Sequence, residues 1–239
     1  MSGGVTCELV AWAAARVDWL REGLLGWFER FGRCFPWREP GRSAYEVTVA
    51  EILLQRTTAA QVAQVYPDFL RRYPAWDSLA RATPAELEGV LRPLGLWRQK
   101  ARALQRLARS LEERHGLMPE TRRELERLPG IGPYTASAVL AVVYGQAEPL
   151  LDANLARLLG RCFGLSQTLS RSSRRRLLQA LALHLVRDER SLQVNWAALD
   201  FGTLVCRPRR PLCPCCPLRS ACAYALLLEP PATPSAGAP

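Results

Sequence analysis

Leu128-Pro129-Gly130-Ile131-Gly132-Pro133-Tyr134-Thr135-Ala136, then an apolar stretch, then Leu150-Leu151-Asp152-Ala153-Asn154: this run decides how the rest of the chain is read. Thr121 to Leu128 reads as a short charged helix. Pro129-Gly130-Ile131-Gly132 cannot continue it, because proline lacks an amide hydrogen and glycine tolerates positive φ. Pro133 suits the first turn of a new helix that runs apolar through Tyr144 and stops at Gly145. Two helices joined by such a Gly-x-Gly hairpin leave bare amide hydrogens at the second helix's N-terminus, a site for phosphate that needs no side-chain charge. Asp152 follows about two turns of chain beyond that helix. It precedes a further helix beginning near Asn154, where an N-cap role and the helix dipole favour its ionised form. From these residues alone, capping and chemistry are equally good readings of Asp152.

The 239-residue chain has a formal charge of +10, and of its 32 basic residues Lys100 is the only lysine. An excess of that size favours a polyanionic partner, bound with counterion release. No apolar run approaches the ~20 residues of a membrane helix. Leu9 to Ala15 is too short, and lacks a preceding basic region, for a signal segment. The expected setting is intracellular and reducing, where disulfides are disfavoured.

Helical spacing dominates over strand signals. It predicts helices over Asp18–Phe31, Ala44–Gln55, Ala59–Arg72, Pro84–Leu91, Gln99–Arg114, Pro133–Tyr144, Leu155–Phe163, Arg174–Leu185 and Val194–Leu204. Within the second of these, Val47, Ala50, Glu51 and Leu54 share one face, which places a carboxylate on an apolar stripe. Burial there raises a carboxyl pKa and suits it to donate a proton or activate a water; a Glu at the stripe's edge, exposed or paired with Arg, is the other reading. Cys206, Cys213, Cys216 and Cys222 are spaced C-x6-C-x2-C-x5-C, a metal-site pattern. Spacing alone leaves zinc and a [4Fe–4S] cluster both open. Cys215 is a spare thiol inside that loop, and Arg207-Pro208-Arg209-Arg210 presents charge there. Cys7, Cys34 and Cys162 are isolated and are expected to be small buried hydrophobes. Glu229 to Pro239, rich in Pro, Ala, Gly and Ser, is expected to be disordered.

Taken in order, Leu-Pro-Gly-Ile-Gly-x-Tyr-Thr-Ala, Leu-Asp-Ala-Asn and the four-cysteine loop resemble the helix-hairpin-helix-GPD superfamily of DNA glycosylases, which includes endonuclease III and the MutY-type adenine glycosylases. The resemblance runs over residues 27–224. It implies an all-α fold of two helical lobes, with double-stranded DNA and an extruded base held in the cleft between them. The expected boundaries are a six-helix barrel with the helix-hairpin-helix over 32–148, an iron–sulfur helical lobe from 1–31 and 149–224, and a disordered tail over 225–239. It implies a [4Fe–4S] cluster on Cys206, Cys213, Cys216 and Cys222. Asp152 becomes the carboxylate that stabilises a cation-like sugar while an N-glycosidic bond breaks, and Glu51 the second carboxylate. Gly130, Ile131, Gly132 and Thr135 grip the phosphate backbone, Gln55 fills the gap left by the extruded base and Arg56 meets the orphan base, both reading equally as surface residues of a helix end; Trp37, in Phe35-Pro36-Trp37-Arg38, can stack on a base, with a core tryptophan as the default reading.

Tyr134 stands where bifunctional relatives of the endonuclease III type place a Schiff-base lysine, and a phenol cannot form an imine. A monofunctional glycosylase of base excision repair is therefore expected, with Tyr134 packing on the nucleotide or bonding its phosphate. Leu54-Gln55-Arg56-Thr57-Thr58-Ala59 looks more like the archaeal-type enzymes that remove T or U opposite G than like the MutY type. Adenine removal opposite 8-oxoguanine or G is the alternative, and a non-catalytic lesion-binding protein the further one. A monomer in a prokaryotic cytoplasm, associated with the nucleoid, completes the expectation.

Overall fold

A computed structural model describes residues 3–112, 114–165 and 169–228, with the backbone alone described for residues 3–14. All regular structure among them is helical. In chain order the α-helices are α1 (Gly3–Phe31), α2 (Ala44–Leu54), α3 (Ala59–Arg72), α4 (Trp76–Arg81), α5 (Pro84–Leu91), α6 (Trp97–Glu112), α7 (Arg122–Leu125), α8 (Pro133–Val142), α9 (Ala153–Cys162), α10 (Arg171–Leu185), α11 (Ser191–Leu204) and α12 (Ala223–Leu226). Single 3-10 turns occur at Pro36–Arg38, Cys213–Cys215 and Arg219–Ala221. The starts follow local chemistry. Ser43 with Glu46, Thr58 with Gln61 and Thr83 with Glu86 form reciprocal capping boxes.

The chain divides into a central unit, Arg33–Leu150, and a terminal unit, Met1–Gly32 with Leu151–Pro239. In the central unit α2 is the axis. It packs on α3, α6 and α8, and Tyr45, Val47, Thr48, Val49, Ala50, Ile52 and Leu53 are all buried. A helix apolar nearly all round belongs at the middle of a core rather than on its surface. Leu87, Leu91, Leu104, Leu107, Val139 and Leu140 close around it.

In the terminal unit α1 packs along α11 and α10, and α9 lies against α11, α10 and α12. Leu20, Leu24, Leu155, Leu159 and Phe201 fill its core. Arg21, 8% exposed, donates from Nε to Leu185 O at 2.8 Å and from a terminal nitrogen to His184 O at 2.7 Å. It thereby covers carbonyls that the last turn of α10 cannot pair internally.

Three expectations are corrected. Residues 225–228 are not tail, since α12 runs through Leu226; the expected disorder of 229–239 lies outside the described residues. Cys34 is exposed, because it sits in the irregular link between α1 and the first 3-10 turn; the side chain of Cys7 lies outside the described residues. The short α4, whose Trp76 and Leu79 are buried, carries too few residues to register as a helical period and was not anticipated.

Candidate functional site

The hairpin comes first. Leu128 N–H bonds to Leu125 O at 3.0 Å, and Ile131 N–H returns to Leu128 O at 3.2 Å. Gly130 makes the reversal at φ +85, a conformation glycine adopts without steric cost. Gly132 is the N-cap of α8, at φ −94 and with no side-chain capping bond. A Cβ there would meet nothing within 4 Å. Neither the backbone angle nor packing asks for glycine at 132, so its effect is to leave the first-turn amides open to approach. Ile131 and Thr135 are 5% and 4% exposed. Their side chains are packed in the core, so any contact they make with a phosphate falls to their backbone amides.

Glu51 projects from α2, and burial pushes its carboxyl up to about 7, opposed by the charge of Arg38. At neutral pH it is therefore divided between acid and carboxylate. The side chains that follow, Gln55 and Arg56, are exposed. Arg56 holds φ +54, and Leu96, at φ +59, stands 40% exposed in the same groove as Gln55. Trp37 follows the core reading and not the base-stacking one. It is 8% exposed, stacked on Phe35 at 4.8 Å between centroids and edge-on to Tyr66 at 5.6 Å. It is a core tryptophan; the half-buried aromatic of that segment is Phe35.

In the terminal unit Asp152 is the N-cap of α9. Its Oδ1 accepts from Leu155 N–H at 2.8 Å and its Oδ2 from Asn154 Nδ2 at 2.8 Å. Burial raises its pKa, while those donors and Arg157 oppose the rise. The arrangement continues outward. Asn154 Oδ1 accepts from Arg157 at 2.8 Å, and Arg157 also donates to Gly202 O at 2.7 Å and, through Nε, to Cys206 O at 2.9 Å. Two residues, Asn154 and Arg157, thus connect the carboxylate to the first cysteine of the loop. Sequence reasoning missed Arg157 and Gly202. The i+3 step from Asn154 to Arg157 on one helix face was a usable signal; Gly202, far along the chain, offered none.

Cys206, Cys213, Cys216 and Cys222 line one pocket, walled by Leu158 and Phe201. Cys162, buried, lines it too, so the spare thiol facing this pocket is Cys162, whereas Cys215 is exposed. A hydrogen bond from Cys162 draws the Cys222 thiol down to about 6. Arg161 shapes the loop by donating to Arg207 O at 2.7 Å and Pro208 O at 3.0 Å, and reaches Cys206 Sγ at 3.4 Å. Among the described residues, no three His, Cys, Asp or Glu side chains are grouped as ligands of a single metal ion.

Comparison with known proteins fits this geometry. Residues 49–182 match the HhH-GPD superfamily of base excision DNA repair proteins. The chain belongs to this superfamily. It is 40% identical to the thymine/uracil-DNA glycosylase of Pyrobaculum aerophilum, over 83% of this chain and 87% of that protein. It is 37% identical to the human adenine DNA glycosylase, over 87% of this chain but 40% of that protein. A solved thermostable thymine-DNA glycosylase superposes with a TM-score of 0.83 at 31% identity, covering 89% of this chain and 98% of that one. Among the described residues, no helix is long and apolar enough to cross a membrane.

The support of Asp152 is testable through packing. A Cβ added at Gly202 would lie 2.7 Å from Asn154 Cβ and 3.4 Å from its backbone. Gly202→Ala is expected to lower stability by about 1–3 kcal/mol in urea unfolding, despite alanine's better helix propensity. A gain in stability would show that the first turn of α9 at Asn154 does not depend on this close approach.

Proposed function

We propose that the protein is a monofunctional DNA glycosylase that removes T or U opposite G by hydrolysis of the N-glycosidic bond. The observation that carries this is the state of Asp152: a carboxylate held by two donors, so that its charge is fixed in place before any sugar approaches. Breaking the bond to the base leaves positive charge on the deoxyribose, and a pre-oriented anion stabilises that charge without reorganising. The first-turn amides of Gly132, Tyr134 and Thr135 suit a phosphate of the same DNA strand.

Glu51 takes the complementary role. A carboxyl poised near neutrality can hand its proton to the departing base, while at Asp152 the donors from Leu155 and Asn154 and the charge of Arg157 oppose the rise that burial causes. Two carboxylates with different environments divide acid and electrostatic work in this way. No lysine is available for an imine. Lys100, the only one in the sequence, is 2% exposed and donates to three oxygens. Release of T or U rather than A is supported by the higher identity to the thymine/uracil enzyme, 40% against 37% for the adenine enzyme.

The four loop cysteines suit a [4Fe–4S] cluster. All four line a common pocket, and such a cluster takes four Cys thiolates. When bound, the cluster supplies a covalent anchor for residues 206–222 and a metal centre capable of electron transfer. Arg157 and Arg161 fix the backbone of that loop against α9.

Three outcomes test this reading. Asp152→Asn keeps an N-cap residue and should retain the fold and DNA affinity, while base release from G·T and G·U duplexes drops by about 10²–10³-fold; unchanged turnover sinks the assignment, and release of adenine alone from 8-oxoguanine·A duplexes would reverse the choice of base. The pH profile of single-turnover release should decline above about 7 as Glu51 loses its proton, and Glu51→Gln should abolish that limb along with most activity. A rate that climbs through the same range would make Glu51 a base acting on water instead. Anaerobically purified protein should contain about four iron atoms per chain with thiolate-to-iron absorption; stoichiometric zinc in place of iron would refute the cluster.

A further inference from the structure

Two exposed tips stand side by side in the central unit, and one buried cation joins them. The turn after α2 presents Gln55 and Arg56 to solvent, with Arg56 at φ +54. The turn before α6 presents Leu96, also left-handed at φ +59. Side chains other than glycine and asparagine rarely adopt that conformation, so something must hold each tip in place. The turns touch at Gly95, where an added Cβ would lie 3.7 Å from Arg56 O and 3.9 Å from Thr57 Oγ1. Lys100 reaches back from α6 and donates to Gln55 O at 2.7 Å, Thr57 Oγ1 at 2.9 Å and Gly95 O at 2.6 Å. Each of the three ammonium hydrogens has an acceptor.

Such an arrangement has a cost that packing alone would not incur. Desolvation works against the charged form of Lys100, and a methionine of similar volume would fill the same space without it. What the ammonium provides is direction: it converges two carbonyls and a hydroxyl from separate turns on one point, which sets the spacing of the tips.

We infer that Lys100 is a positioning residue for base extrusion: it holds the Gln55–Arg56 and Leu96 tips at the separation needed to occupy a DNA duplex from which one nucleotide has been withdrawn. The inference rests on the glycosylase reading above. Unstacking a base costs a few kcal/mol, and a tip that fills the vacated space recovers part of that cost only if it is already in position. Lys100 acts through these tips and touches no reacting atom.

The test separates extrusion from binding and from chemistry. A G·T duplex with 2-aminopurine beside the target reports unstacking by fluorescence, and Asp152→Asn protein allows the equilibrium to be read without cleavage. Asp152→Asn should raise the fluorescence, and Asp152→Asn with Lys100→Met should lose most of that rise at nearly unchanged DNA affinity. In single-turnover assays with Asp152 intact, Lys100→Met should slow release from the paired duplex on the order of 10²-fold. It should do so far less when the target lies in an unpaired bubble, where extrusion is already done. Thr57→Val removes one acceptor while Lys100 keeps its two carbonyl partners, and should shift both readouts the same way by a smaller amount; it decides the matter if Lys100→Met does not fold. No rise with Lys100 present, an equal rise in its absence, or equal slowing on duplex and bubble overturns the inference. A rise without any base release by the wild-type protein overturns the glycosylase reading alone.

Discussion

Everything in the proposed chemistry depends on how Asp152 is held. Its two oxygens accept from Leu155 N–H and Asn154 Nδ2, and Asn154 is itself fixed by Arg157, which grips Gly202 O and Cys206 O. A carboxylate on a free rotamer would pay orientation at each turnover; this one has paid it on folding. The same contacts explain why capping and catalysis need not compete. The N-cap bond uses one direction at Oδ1, and a carboxylate has about four acceptor directions in all. They also give the cysteine loop a physical reason to lie close in structure to a residue 54 positions earlier in the chain: Arg157 spans from the Asp152 turn to the backbone of Cys206.

Glu51 depends on the opposite circumstance. It rides on a helix buried on nearly every side, and burial, against the charge of Arg38, moves its carboxyl to about 7. Asp152 also feels burial, but backbone and amide donors and Arg157 pull against it. The helix that centres the unit's core is thus also the device that makes its one mid-helix carboxyl a proton donor near neutrality. Stability and reactivity share a cause here: exposing Glu51 would relieve a folding cost and remove its function together.

Much of this was legible in the sequence because the signals were local. Pro129-Gly130 and Pro133 marked the hairpin, apolar spacing marked most of the longer helices, and the four cysteines marked their loop. What escaped was set by residues distant in the chain. Trp37 admits both a base-stacking and a core reading until Phe35 and Tyr66 are seen against it. Cys162 looks isolated until α9 brings it to the pocket of Cys222. The apolar stripe assigned to α2 was in truth most of its circumference, which periodicity cannot distinguish from a one-sided face when nearly every residue is apolar. Lys100 and Leu96 gave no local signal, since a clamp between two turns appears only once the turns are adjacent.

The most direct measurement of the central claim is the affinity for a charged mimic of the reaction's sugar. A duplex bearing a cationic pyrrolidine in place of the deoxyribose, opposite G, resembles the developing cation and should bind far more tightly than the neutral tetrahydrofuran analogue. If the negative charge of Asp152 is what stabilises that cation, Asp152→Asn should erase most of the preference for the pyrrolidine while leaving affinity for the neutral analogue unchanged. A preference for the cationic duplex that persists in full after the substitution would contradict the account.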